Sequence, residues 1–127
     1  MSDALTEGVR VTVTSRFLPD HSRVHQKRWF FSYTVKIANE GPESAQLLRR
    51  HWVITHATGR TEEVRGDGVV GETPRLAPGH AFEYTSYCEL ETSLGAMHGS
   101  YTMQRPDGSL FDAEVAPFTL ADPTTLN

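Results

Sequence analysis

Apolar side chains recur at every second position through much of this chain. Val9, Val11 and Val13 alternate with Arg10, Thr12 and Thr14, and Phe17 continues the same face. In WFFSYTVKIAN, the positions Trp29, Phe31, Tyr33, Val35 and Ile37 share one side. Phe82 and Tyr84 alternate with Ala81, Glu83 and Thr85; Met97, Tyr101 and Met103 lie on one face, as do Phe111, Ala113 and Val115. Successive side chains of a strand point to opposite faces, so a period of two predicts half-buried strands. No window of useful length combines helical amphipathicity with caps. LLRRHWVITH has helical propensity, but Trp52, Val53, Ile54 and Thr55 favour a strand.

Turn-forming residues separate these runs: NEGPES (39–44), ATGR (57–60), LAPGH (76–80) and RPDGS (105–109). The last, between two alternating segments, is a strong hairpin signal. About seven short strands in roughly 110 residues predict an all-β, immunoglobulin- or fibronectin type III-like β-sandwich of two antiparallel sheets. A small closed barrel is the alternative. The 127 residues form a single domain, with an ordered core over about 7–121 and loose ends at 1–6 and about 122–127.

Composition narrows the class. An apolar content of 38% supports a folded core, and no apolar run approaches the roughly 20 residues of a membrane-spanning helix. The opening MSDALTEGVR is acidic and lacks the apolar stretch of a secretory signal. Cys88 is the sole cysteine, so no internal disulfide forms, and a cytoplasmic location is expected. Residues 10–65 carry a net charge of +5 and residues 66–127 a net of −7. Early and late strands interleave in a sheet protein, so this asymmetry does not by itself make a basic face. A nucleic-acid partner is not expected.

Several segments together carry a family resemblance: YTVKIAN (33–39), the run Arg50-His51-Trp52-Val53-Ile54-Thr55, GRTEEVRGDGVVGETPRLAPG (59–79), FEYTS (82–86) and LGAMHGSYTM (94–103). Over roughly residues 9–122 the chain resembles the bacterial ApaG family. The resemblance implies a fibronectin type III-like sandwich, and no accepted catalytic residues come with it. It implies protein–protein interaction, the role of ApaG-like domains within eukaryotic F-box and other multidomain proteins. It also implies an association with cobalt and magnesium tolerance, for which members are often labelled efflux proteins. Without a membrane-spanning segment such a chain does not itself carry an ion across a bilayer, so that association is indirect. His80, Tyr87 and Ser93 depart from the family pattern, in turns and at strand ends.

Within VRGDGVVG, residues Gly66, Gly68 and Gly71 have the spacing GxGxxG. A dinucleotide fingerprint needs a helix opening after the glycines. Here Glu72-Thr73-Pro74 and then Pro78-Gly79 prevent one. No Lys-Ser/Thr pair follows, so a P-loop is excluded as well. A backbone nest remains as a second reading. Two or three amide bonds of about 1–3 kcal/mol each, against at least ~4 kcal/mol for ordering a ligand, give roughly millimolar pyrophosphate or nucleotide binding. Arg65, Arg60 or Arg75 would strengthen it and Asp67 would oppose it. The turn reading takes precedence, with Gly66, Gly68, Gly71 and Arg65 as the anion-loop candidates.

Six histidines invite a metal reading. His51 and His56, five apart, point to opposite faces of a strand. Asp20, His21 and His25 in one loop offer a carboxylate and two nitrogens, a third reading of function, although nothing in their spacing forces them together. No metal site and no cofactor is assigned. Glu89 and Glu91 share one side as a charged strand edge. Ser86 and Cys88 lack a nucleophile motif such as GxSxG. Trp29 and Trp52 are expected core anchors, and Arg49-Arg50-His51 beside Trp52 offers a basic aromatic face for a partner. The expected function is a non-enzymatic module that binds another protein.

Overall fold

A computed structural model of the chain describes residues 1–125. Its nine strands are β1 (Ser2–Thr6), β2 (Val9–Phe17), β3 (Trp29–Asn39), β4 (Ala45–His56), β5 (Thr61–Asp67), β6 (Arg75–Leu76), β7 (Ala81–Leu90), β8 (Leu94–Gln104) and β9 (Leu110–Ala121). Short 3₁₀ turns at Pro19–His21, Val24–Gln26 and Pro123–Thr125 are the only helical elements among the described residues. One sheet has the order β1-β2-β3-β7 and the other β5-β4-β8-β9, with β6 also paired to β4. All ladders are antiparallel. The molecule is a β-sandwich of two antiparallel sheets, not a closed barrel.

The alternating apolar positions supply the layer between the sheets. Val9, Val11, Val13, Phe31, Val35 and Ile37 from the first sheet are fully buried, facing Leu47, Tyr101, Met103, Ala113 and Leu120 from the second. Burying such side chains contributes about 1.5–3 kcal/mol each for the aliphatic and Phe positions. Trp52 sits at the centre, its ring edge-on to Tyr33 (5.3 Å), Tyr101 (6.0 Å) and Phe118 (6.0 Å). Such tilted aromatic contacts are favoured by the ring quadrupoles. LLRRHWVITH lies inside β4, and RPDGS joins β8 to β9.

Two bulges break the period of two. In β4 the register skips Leu48 between Leu47 and Arg49. In β9 the register against β8 shifts between Val115 and Phe118, so the buried set passes from Ala113 and Val115 to Phe118 and Leu120. Pro117, which has no N–H for a ladder, falls in that second irregularity.

The two long sides of the sandwich differ. On one, β1 and β2 lie against β9. There the Glu114 N–H donates to Thr6 Oγ1 (3.1 Å) and Ser15 Oγ donates to the Thr119 carbonyl (3.0 Å). On the other, β7 and β5 end their respective sheets and leave a cleft between them.

Both termini are more ordered than their composition predicts. Residues 2–6, expected to be loose, form β1, paired in full to β2 from Ser2↔Val13 to Thr6↔Val9. At the other end Asp122 is buried and accepts from Trp29 Nε1 (3.3 Å) and from the Thr124 N–H and Oγ1 (3.0 and 2.7 Å). Residues 126–127 of the segment expected to be loose lie outside the described residues.

Candidate functional site

The open side sets a charge, Arg50, beside the aromatic rings of Tyr33 and Trp52. Registers Trp52↔Val64, Ile54↔Glu62 and Arg50↔Gly66 put these six residues on the inter-sheet face of β4 and β5. Tyr33↔Ser86 and Phe31↔Cys88 do the same for β3 and β7. Between them lie two hollows of about 420 and 340 Å³, both lined by Tyr33, Arg50, Trp52 and Ser86. Val64 (41% exposed), Val70 (57%) and Tyr87 (67%) stand at the rim.

Arg50 reaches this cleft because of the Leu48 bulge. Counting forward two from buried Leu47 gives Arg49; counting back two from buried Trp52 gives Arg50. The two counts conflict unless one residue is inserted, and Leu48 is that residue. Arg49 and His51 therefore face outward, where His51 Nε2 lies 2.8 Å from Glu63, while Arg50 and Trp52 face inward. The expected basic aromatic face is split between the two sides of the sheet.

The Arg50 guanidinium crosses directly over Gly66, where a Cβ would come within 2.6 Å of Nη2. Its Nη1 donates to the carbonyls of Asp67 and Gly68, both at 2.9 Å. Among the described residues Nε and Nη2 have no hydrogen-bond acceptor, and none of the ion pairs involves Arg50. A half-buried charge with no carboxylate beside it is uncommon, because buried charges are ordinarily paired.

Each glycine of the motif answers to a different local constraint. Gly66 leaves room for Arg50. Gly68 has φ +62° and approaches the Glu72 carbonyl so closely that a Cβ would lie 2.3 Å from its oxygen. Gly71 (φ +80°) and Val70 (φ +44°) are the central pair of a turn in which Val69 and Glu72 exchange both backbone hydrogen bonds. Positive φ at both central positions defines a type I′ turn. No helix follows it. The Gly68 N–H donates to the Leu48 carbonyl (2.8 Å), the Val69 N–H to Glu72 (2.8 Å) and the Glu72 N–H to Val69 (2.9 Å). Those amides are engaged within the fold. Arg65 faces away from the cleft, 3.5 Å from Glu63 and largely exposed. The structure thus places Arg50, not Arg65, against the glycine loop.

The phenols and the thiol in and beneath the cleft are held in their neutral forms. Burial pushes the Tyr33 hydroxyl up, a rise that Ser86 and the Arg50 charge partly offset. Burial likewise raises Tyr84 and Tyr101, whose hydroxyls share a hydrogen bond. Burial pushes the Cys88 thiol up to about 12, with the Glu62 and Glu89 charges adding to the rise. A thiol or phenol in this state is a poor nucleophile at neutral pH. Chemically the cleft offers hydroxyl and guanidinium donors over an aromatic floor.

The acids around the rim are already matched. Glu62 and Glu91 both accept from Arg60 (2.8 and 2.7 Å), and Glu89 lies 3.0 Å from Arg28. Glu89 and Glu91, expected on one side as a charged edge, are both exposed, Glu89 beside Arg28 and Glu91 sharing Arg60 with Glu62. Asp20 and His21 sit on one 3₁₀ turn and His25 on the next, all exposed. Among the described residues no three His, Cys, Asp or Glu side chains are placed to hold a metal ion.

The family model described as the ApaG domain matches residues 19–105. The Protein ApaG of Anaeromyxobacter dehalogenans (strain 2CP-1) is 55% identical over 127 residues, covering all of both chains. That of Bradyrhizobium sp. (strain ORS 278) is 54% identical over 123 residues, covering 97% of this chain and 95% of the relative. A Bordetella pertussis crystal structure that carries the ApaA name is 45% identical, covers 96% of this chain and 99% of its own, and superposes with a TM-score of 0.90. With that match in sequence and in fold, over practically the whole length, the chain belongs to the ApaG family.

Proposed function

We propose that this chain is a non-catalytic binding module that docks a segment of a protein partner in the cleft between β5 and β7. The observation that carries this reading is the exposure of Val64, Val70 and Tyr87 around a cleft with Trp52, Tyr33 and Arg50 inside it. Exposed apolar groups rimmed by polar ones mark interaction sites, and aromatics with Arg dominate binding hot spots. Two strand edges bound the cleft, so an extended segment can add its own backbone hydrogen bonds there. The neutral thiol and phenols favour binding over reaction.

Pyrophosphate binding by Gly66, Gly68, Gly71 and Arg65 has less in its favour, since the Gly68 amide is engaged by the Leu48 carbonyl and Arg65 lies on the opposite face. No helix of the described residues is long and apolar enough to cross a membrane. A part in cobalt or magnesium tolerance would pass through the docked partner.

A photo-crosslinking side chain in place of Val64, with the same group in place of Thr14 on the far sheet as control, tests the reading in cell extract. A reproducible adduct from position 64, absent from position 14, is expected. Equal labelling from both positions would remove the cleft as the docking site.

A further inference from the structure

We propose that the docked segment presents a carboxylate to Arg50; this rests on the docking reading above and names the chemistry of the occupant. A guanidinium has five N–H donors in a planar fork suited to a two-point contact with a carboxylate. Nη1 is engaged by the Asp67 and Gly68 carbonyls, which fixes the plane of the group and leaves Nε and Nη2 as the adjacent pair of donors. That pair is the edge a carboxylate grips with two parallel bonds.

No internal acid is paired with Arg50 among the described residues. Glu62 is drawn to Arg60, Glu89 to Arg28, and Asp67 pairs in register with outward-facing Arg49. Glu62 and Glu89 line the larger hollow with Arg50 and Asp67 lines the smaller, yet among the described residues none of them forms an ion pair with Arg50. The hydroxyls of Tyr33 and Ser86 line the same hollows, and Tyr33, with its pKa raised, keeps a proton to donate.

A single positive charge without an ion-pair partner matches a single carboxylate better than a phosphate dianion, which would draw on more than one cation. Trp52, Ile54 and Met97 below and Val64 and Val70 beside it accept apolar side chains. Side chains two apart in an extended segment share a face, so alternating glutamates can turn toward Arg50 while the valines between them lie against the Val64 and Val70 rim.

The test uses the intact chain, labelled with ¹⁵N, and the capped pentapeptides Val-Glu-Val-Glu-Val and Val-Gln-Val-Gln-Val, with inorganic phosphate and diphosphate in parallel. The Glu peptide is expected to shift the Arg50 Nε–H and the Tyr33 and Ser86 amides, and to bind about 10- to 100-fold more tightly than the Gln peptide, the range of a charged hydrogen bond. In Arg50→Gln that ratio is expected to fall to about one. Since it is a ratio within one variant, general loosening does not mimic it, and the Nε–H shift in the unaltered chain stands should the variant fail to fold. Equal binding of both peptides in the cleft overturns the carboxylate proposal and leaves the docking reading standing. Shifts at Arg50 with phosphate or diphosphate but neither peptide overturn it in favour of a phosphate ligand. No shift at Arg50 with any probe overturns it too, while the crosslinking from position 64 continues to decide the docking reading.

Discussion

Val70 occupies the left-handed region with a branched side chain that is more than half exposed. Glycine or asparagine is the ordinary choice at the first central position of a type I′ turn, and a β-branched residue there is strained. Relieving the strain in Val70→Asn is expected to raise stability by about 1 kcal/mol, read from urea unfolding. Gly68→Ala is expected to do the reverse. Its Cβ meets a backbone oxygen that has no room to give, at a positive φ, and a loss of about 2–3 kcal/mol follows in the same assay. At Gly66 the crowded atom is the mobile end of Arg50, so Gly66→Ala acts mainly by moving the guanidinium off its two carbonyls. An altered Arg50 Nε–H resonance with the fold retained would show this. One GxGxxG motif thus combines a space requirement with two conformational ones, and only its spacing was visible before the fold was known.

The strands themselves were legible because burying one face imposes a period of two on the residues that form it. Val9 to Val13, Trp29 to Ile37 and Met97 to Met103 read correctly for that reason. Where the period breaks, the reading failed, and it failed at Arg50, the position proposed to hold a ligand. The Leu48 bulge turns Arg50 inward, and the conflict between the Leu47 and Trp52 counts was the only trace of it in the sequence. β1 was missed because Ser2–Thr6 buries little apolar surface and is held by pairing with β2. Asp122 was missed because an acid near a chain end reads as solvated, whereas here it ties the end of β9 to the start of β3 through Trp29. Burial opposes its charge, but the Thr124 hydroxyl and N–H and the indole N–H outweigh that and hold the carboxyl below its usual value. A pKa lowered by folding stabilises the folded state fully above about pH 4, and the stabilisation is lost as pH falls through the folded value. Urea midpoints of the unaltered chain and Asp122→Asn are expected to differ at pH 7 and to converge toward pH 3.

At the level of the whole molecule, one long side of the sandwich is sewn together and the other is left ajar. The closed side relies on β9 against β1 and β2, and the open side is defined by the two terminal strands β5 and β7. Stability and recognition are therefore separable on this scaffold. Tyr87→Ala, at an exposed rim position, is expected to change the urea midpoint by no more than about 0.5 kcal/mol equivalent, yet to weaken peptide binding in the cleft. The lone sulfhydryl gives this architecture an optical gauge. Cys88 lies buried in the wall of the cleft with its thiol pKa raised by burial, so a chromogenic disulfide reagent is expected to react faster whenever β7 lifts away. The rate at which colour develops would clock that breathing motion, and a bound segment, by clamping the lip, would slow it.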